Sequence, residues 1–509
     1  MKNIKFFNLT NAKMLSAFIL LSVLSIQSCA DLDEDPTLSR LAPGQYTLQE
    51  ELELGVTGIY SRLRNASQWS TFFVNGWSGD DITTHRVSNK EDFREFDQRS
   101  IAPTNGRISS NWRDIYAMVR AANNVLESSE GLQLTDQDAQ NRLLGEIYFL
   151  RGTMFFHLTR IHGAIPLPLT SIPDFEIGLS TQEEVYAQIE ADLLQAETLL
   201  PAVYPNVQPG APRPNSGSAR ALLARLYLDW AGFPAKDTSK YEQAATSAQT
   251  VMNNASSHGF ALVDDLEDLW LLSNRFNNES IWTIAYNKAS ELHNRKYGKL
   301  GNPSDVGGWQ ETFAEIRFFE DFPEGPRKEA TYRTDGVWGN WENFTDQATP
   351  VFKKIAGPEG DIPLSDFNTD RNDFYMRYAE VLLIYAEASG RSGNVTPASW
   401  EALNKIRRRA AGLPYNTANA SVDLTSGDIA ELAFMERKWE FAGEWIRWND
   451  LVRTERVQQA LSNRDPQVSR NSSGVLLDVQ NPILGSLGTD NYFAPIPQNE
   501  VDLNPNLKK

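Results

Sequence analysis

The chain has 509 residues, 41% of them hydrophobic, an ordinary fraction for a folded globular protein and too high for general disorder. A chain of this length buries a sizeable core without help from disulfides or metals. With 66 acidic against 48 basic side chains the formal net charge is -18, a field that repels phosphate backbones and excludes nucleic acid as a partner.

The N-terminus reads as an export signal. Lys2, Lys5 and Lys13 precede an apolar run from Met14 to Ile26. The run is too short for a comfortable transmembrane helix, which needs roughly 20 residues. Ser28 and Cys29 follow at once, and Cys29 is the sole cysteine of the chain. A small residue then Cys at the end of a signal resembles a lipobox, so residues 1–28 are expected to be removed and Cys29 to carry the lipid. Gln27 departs from the usual small residue. The acidic run Asp31, Asp33, Glu34, Asp35 reads as a solvated tether. Pro36 stands where a calcium loop of the EF-hand type needs Gly.

Beyond the tether most of the chain carries helical periodicity. Stripes run at about 47–64, 109–127, 136–161, 181–200, 216–231, 239–253, 374–389, 397–411 and 428–459. The clearest places Leu143, Ile147, Leu150, Met154, Leu158 and Ile161 on one face, with Asp136 at its start and Gly163 and Pro166 at its end. Two stripes look like copies. Ala221, Leu223, Leu226, Tyr227, Asp229 and Gly232 align without a gap on Ala379, Val381, Ile384, Tyr385, Glu387 and Gly390. Each is followed by a second helix, begun near Tyr241 and Trp400. This resembles tetratricopeptide-type hairpins in divergent form. Residues 65–108 and 255–370 are long, irregular and rich in aromatics, and Glu279 to Tyr286 alternates like a strand.

No catalytic motif accompanies this scaffold. The five histidines, His85, His157, His162, His258 and His293, form no metalloprotease pair, and neither a nucleophile elbow nor a phosphate loop occurs. His157 and His162 read as packing or capping groups. Acidic pairs such as Asp80–Asp81 are inevitable among 66 acids, so the protein is expected not to be an enzyme and to need no cofactor. Asp366, Asp370 and Asp373 give a faint calcium signal, and no metal site is assigned.

Eleven of the 13 tryptophans divide into two groups. Trp112, Trp230, Trp400, Trp439, Trp445 and Trp448 fall at helical core spacing. Trp69, Trp77, Trp309, Trp338 and Trp341 fall in the loop-rich stretches. A Trp face covers the C–H face of a sugar while nearby polar groups bond its hydroxyl rim. Asn75, Asp80, Asp81, Arg86 and Asn302 are candidate polar partners.

Taken in order, these segments resemble the SusD/RagB family over almost the full length. The lipobox with Asp-Leu-Asp-Glu-Asp-Pro, Trp112 to Tyr116 with Arg120 to Asn124, and Leu150 to Leu158 with Gly163 to Pro168 carry the N-terminal half. Arg377 to Ala388, Leu403 to Gly412, Glu436 to Leu451, Ala494 to Pro497 and Asn504 to Leu507 carry the rest. Trp445 is a departure, standing where Gly is common. Glu436, Arg437, Glu440, Arg447 and Asp450 recur along one predicted helix and are expected to pair with neighbouring helices. The resemblance implies an all-α fold of about four tetratricopeptide-like pairs with a loop-rich ligand face. It implies N-terminal (29–254) and C-terminal (255–509) regions, and a lipoprotein held at the outer membrane by its anchor alone, facing outward. It also implies a SusC-like TonB-dependent barrel as partner and a glycan as usual ligand. By position it points to Trp69, Trp77, Tyr297 and Trp309, then Trp338 and Trp341. Uptake of peptides or another nutrient, as in RagB-like members, and a helical scaffold with no ligand of its own are the competing readings.

Overall fold

The first stripe folds as α1, Gln49–Ser67, burying Leu52, Val56, Ile59 and Leu63 at spacings of four and three. The structure is a computed structural model that describes residues 44–508, apart from 70, 86–88, 205–212, 291–292, 295–299, 310, 334–340, 342–343, 345–348, 359–367, 463 and 465–480. Cys29, Arg86, Tyr297, Trp338 and Asp366 lie outside the described residues. Next come α2 (Gly106–Ser128), α3 (Gln137–His162), α4 (Gln182–Leu199), α5 (Ser216–Trp230), α6 (Lys240–Asn253), α7 (Tyr378–Arg391) and α8 (Pro397–Ala410).

Local chemistry starts these helices where the sequence indicated. Asn105 accepts from the backbone N–H groups of Arg107 and Ile108, Asp136 from that of Ala139, and Thr181 and Glu184 close a reciprocal capping box. The eight helices form four pairs, α1/α2, α3/α4, α5/α6 and α7/α8, each packed on the next. The fold is thus all-α and tetratricopeptide-like, with short two-stranded ribbons in the long connections.

The repeat in the sequence is a repeat in space. Asp229 near the end of α5 accepts from Arg160 at 2.7 Å, and its counterpart Glu387 in α7 accepts from both terminal nitrogens of Arg453 at 2.7 Å. The aligned glycines end the first helix of each hairpin under another segment's backbone. A β-carbon on Gly232 would lie 2.4 Å from the Arg453 carbonyl oxygen, and one on Gly390 would lie 2.7 Å from the Ala430 nitrogen. Helix pairs nest this closely only where the side chain is absent.

Three expectations need correction. The stripe at 374–389 begins as a strand, β6 (Asp373–Arg377), and is helical from Tyr378 on, as α7. β6 pairs antiparallel with β2 (Ser280–Ile284), the predicted strand. The stripe at 428–459 is not one helix. It divides into α9 (Ile429–Glu440), α10 (Arg447–Arg453) and the start of a short helix at Val457–Leu461. Gly443 and Trp445 take positive φ, +78° and +68°, and turn the chain between α9 and α10. A tryptophan seldom adopts this conformation, and glycine is the residue that does so freely. Here the ring is 8% exposed and packs on Phe73 and Trp77, so burial offsets the strain. Finally, residues 65–108 contain a 3-10 segment, Thr71–Ser78, and a short helix, Glu91–Asp97.

The expected ion pairs form a buried network around α9. Glu440 accepts from Arg409 at 2.9 Å, Arg377 at 3.2 Å and Arg327 at 3.3 Å. Arg377 and Arg409 also bind Glu279, Arg327 binds Glu436, and Arg377 and Lys354 bind Glu444. Arg437 reaches both Asp450 and Glu380. The network joins the stretch before β2, β6, α8 and α9, and so fixes the loop-rich segment to the C-terminal helices. Burial alone would raise the Glu440 carboxyl; Arg409, Arg377 and Arg327 outweigh it and hold the group at about 2. His157 and His162 are packing groups as read. The His157 ring lies 3.8 Å from Phe72 and burial pushes it down to about 3, while His162 Nδ1 meets the Pro495 carbonyl at 3.0 Å.

Candidate functional site

Two loop tryptophans far apart in sequence meet. The Trp69 and Trp309 rings lie 6.5 Å apart between centroids with their planes only 6° from parallel. Trp309 is 39% exposed and Trp69 is half-buried, so the pair offers apolar ring area at the surface. Lys90 stands over Trp309, its Nζ 5.5 Å from the ring centroid and 3.1 Å from Asn89 Oδ1.

Local structure brings the rings together. Trp69 follows the end of α1 and precedes the 3-10 segment Thr71–Ser78. That segment leads to β1 (Ile82–Thr83), which pairs antiparallel with β3 (Phe313–Ala314), four residues past Trp309. The Trp309 loop is closed at its base by Glu311 and Thr312 N–H groups donating to the Leu300 carbonyl. Gly308 lets the loop fold on itself, since a β-carbon there would overlap the Asn302 carbonyl.

Several candidates support this platform and do not line it. Trp77 is fully buried, stacked 4.3 Å from Phe93, and its Nε1–H donates to the Glu311 carbonyl at 3.1 Å. It cannot present a face to ligand; it ties the Trp309 loop to the segment after Trp69. Asn75 is buried and donates to Asn449. Asp80 is buried and grips Arg447 at 2.7 Å, and Asn302 is buried beneath the loop. Asp81 is buried too, accepting the Gly443 N–H at 2.9 Å. Trp341 meets Phe319 edge-on at 5.8 Å, in a different group of rings that includes Tyr332. Asp370 and Asp373 are hydrogen-bonded beside the β2–β6 ribbon, to the Lys288 N–H and the Tyr286 hydroxyl. Lys90 and Asn89 were not singled out from the sequence, where nothing distinguishes them from other surface polar residues.

Asp81 yields a pH prediction. Burial, and after it the adjacent Asp80 carboxylate, pushes its carboxyl from 3.8 to about 7. The folded state therefore holds this proton where the unfolded chain has released it. The stabilising contribution is complete below pH 3.8 and is lost as pH rises through about 7. Asp81→Asn should match the wild type near pH 4 and exceed it by up to about 4 kcal/mol above pH 8. Urea midpoints of both proteins across this range check it; equal midpoints at all pH values would mean that the proton is not held.

Family models match both ends of the chain. Residues 32–228 match a model described as "Starch-binding associating with outer membrane", and residues 342–509 match the SusD family. The protein belongs to the SusD/RagB family. Among relatives of this SusD/RagB chain, SusD-like protein P2 of Formosa agariphila is 26% identical, over 96% of this chain and 97% of that protein. A SusD homolog from Bacteroides thetaiotaomicron superposes with a TM-score of 0.77 at 22% identity, over 92% of this chain and 97% of the other. A structure described as a laminarin-binding SusD-like protein superposes with a TM-score of 0.70 at 26% identity, covering 90% and 98%. Among the described residues of this SusD/RagB protein, no helix is long and apolar enough to cross a membrane.

Proposed function

We propose that this SusD/RagB protein is a cell-surface glycan-binding lipoprotein. In this reading Cys29 is its lipid anchor, and it hands oligosaccharide to a SusC-like TonB-dependent barrel in the outer membrane. The observation that carries the glycan reading is the parallel, partly exposed Trp69–Trp309 pair. Parallel indole rings cover the C–H faces of sugar rings without demanding charge, and Lys90 over Trp309, with Asn89 beside it, can bond hydroxyls. A shallow platform on a rigid helical frame suits capture and release, with no catalytic step. The family model's outer-membrane description and the lipobox-like N-terminus support the location.

Affinity electrophoresis of the soluble protein, begun at about Asp31, through gels carrying laminarin, starch and other polysaccharides tests this reading. Retardation by one glycan is the expected result. Retardation by none, with peptide binding in calorimetry, would replace it by peptide uptake. Binding of neither, with retained capture of the barrel, would leave a scaffold.

A further inference from the structure

A second cavity opens between the short helix Ile316–Asp321 and the faces of α9 and α10. It has a volume of about 230 Å³ and is lined by charged groups and by Phe318, Phe434 and Met435. Trp69 and Trp309 are not among its lining residues. Arg447 is only 6% exposed at its wall. Its Nε and Nη2 hold the Asp80 carboxylate at 2.7 and 3.3 Å, while its Nη1 is buried and, among the described residues, has no hydrogen-bond partner. Lys438, half-buried on the same wall, has its ammonium over the Phe318 and Trp439 rings, 4.8 and 4.1 Å from their centroids. Among the described residues no ion pair is formed by it.

The other charges are largely spent. Arg456 is paired with Glu431 at 2.6 Å, Arg464 with Asp97, and Glu315 accepts the Phe318 N–H at 2.8 Å. Arg317 and Asp321 are exposed lining residues. A buried guanidinium N–H without an acceptor is costly, and so is the partial withdrawal from water of the Lys438 ammonium, which Asp80 and Asp321 attract but do not pair with. Both deficits are met by one acceptor with two oxygens. We propose that this cavity binds a small carboxylate, with one oxygen on Arg447 Nη1 and the other on Lys438 Nζ, and its carbon frame against Phe318 and Phe434. The carboxylate comes either as a free acid or as a uronic acid unit of a glycan. This site is independent of the tryptophan platform.

Calorimetry and thermal unfolding of the soluble protein with acetate, glucuronate and glucose, at fixed ionic strength in chloride, test the assignment. Acetate and glucuronate should bind saturably and raise the unfolding temperature, and glucose should not. Acetate alone would identify a free acid as ligand, and tighter glucuronate binding a sugar acid. Lys438→Gln removes the charge with a side chain one atom shorter and should weaken carboxylate binding by about tenfold, whereas Trp309→Ala should leave it unchanged. A crystal grown with bromoacetate should show its bromine in this cavity, whatever the folding of the variant. No carboxylate effect beyond chloride, an unchanged affinity in Lys438→Gln, or bromine elsewhere would overturn the proposal.

Discussion

Glu440→Gln should destabilise the protein by about 3–5 kcal/mol, a loss large enough to threaten folding at growth temperature. Glu440 is fully buried and accepts from three arginines. The amide keeps the shape but removes the charge, so Arg377, Arg409 and Arg327 are left in the interior with one anion fewer. The pH dependence gives an internal check. The group sits at 4.5 when unfolded and about 2 when folded. Its contribution is complete above pH 4.5 and is lost as pH falls through about 2, a span worth about 3 kcal/mol. Wild type should therefore lose stability steeply in acid, while the Gln variant starts lower and loses less over that window. Denaturant midpoints from about pH 6 down to about pH 2 read both effects, and parallel curves would mean that Glu440 is not the ionised centre of the network.

Trp309→Ala should abolish most glycan binding while leaving the fold in place. The ring is among the exposed large apolar side chains, and its removal opens no cavity in the core. Losing one face of the pair removes the stacking area and leaves Trp69 alone, an expected cost of about 2 kcal/mol or roughly thirtyfold in Kd. Trp77→Ala provides the contrast. That ring is fully buried and holds the Glu311 carbonyl, so its loss should lower the unfolding temperature as well as the affinity. A Trp309→Ala protein with unchanged glycan affinity and unchanged unfolding temperature would remove the platform from consideration.

The scaffold was legible in the sequence because its signals are local. Apolar spacing from Leu143 to Ile161 and the Asp136 cap lie within one helix, and both appear in α3. The copied segments announced the hairpins, and the acids and arginines from Glu436 to Asp450 announced the network. The break between α9 and α10 was less visible, since an apolar stripe continues across it and Trp445 hides a turn that glycine would have marked. Site placement failed where it depended on long-range pairing. Trp69 and Trp77 sit in similar loop contexts, yet the β1–β3 ribbon buries one against Phe93 and aligns the other with Trp309. Composition carries no trace of that difference.

The turn at Trp445 also constrains how this chain can change. A β-carbon on Gly76 would come within 2.9–3.0 Å of the Trp445 ring and backbone, so position 76 is held at glycine by the residue at 445. A relative with glycine at 445 would lack that ring and its β-carbon, so alanine at 76 would need only a small shift from the remaining 445 Cα. The two positions are thus epistatic: the tolerated residue at one depends on the state of the other. A lineage passing between the two arrangements must change Trp445 before Gly76, and the reverse order passes through a clash.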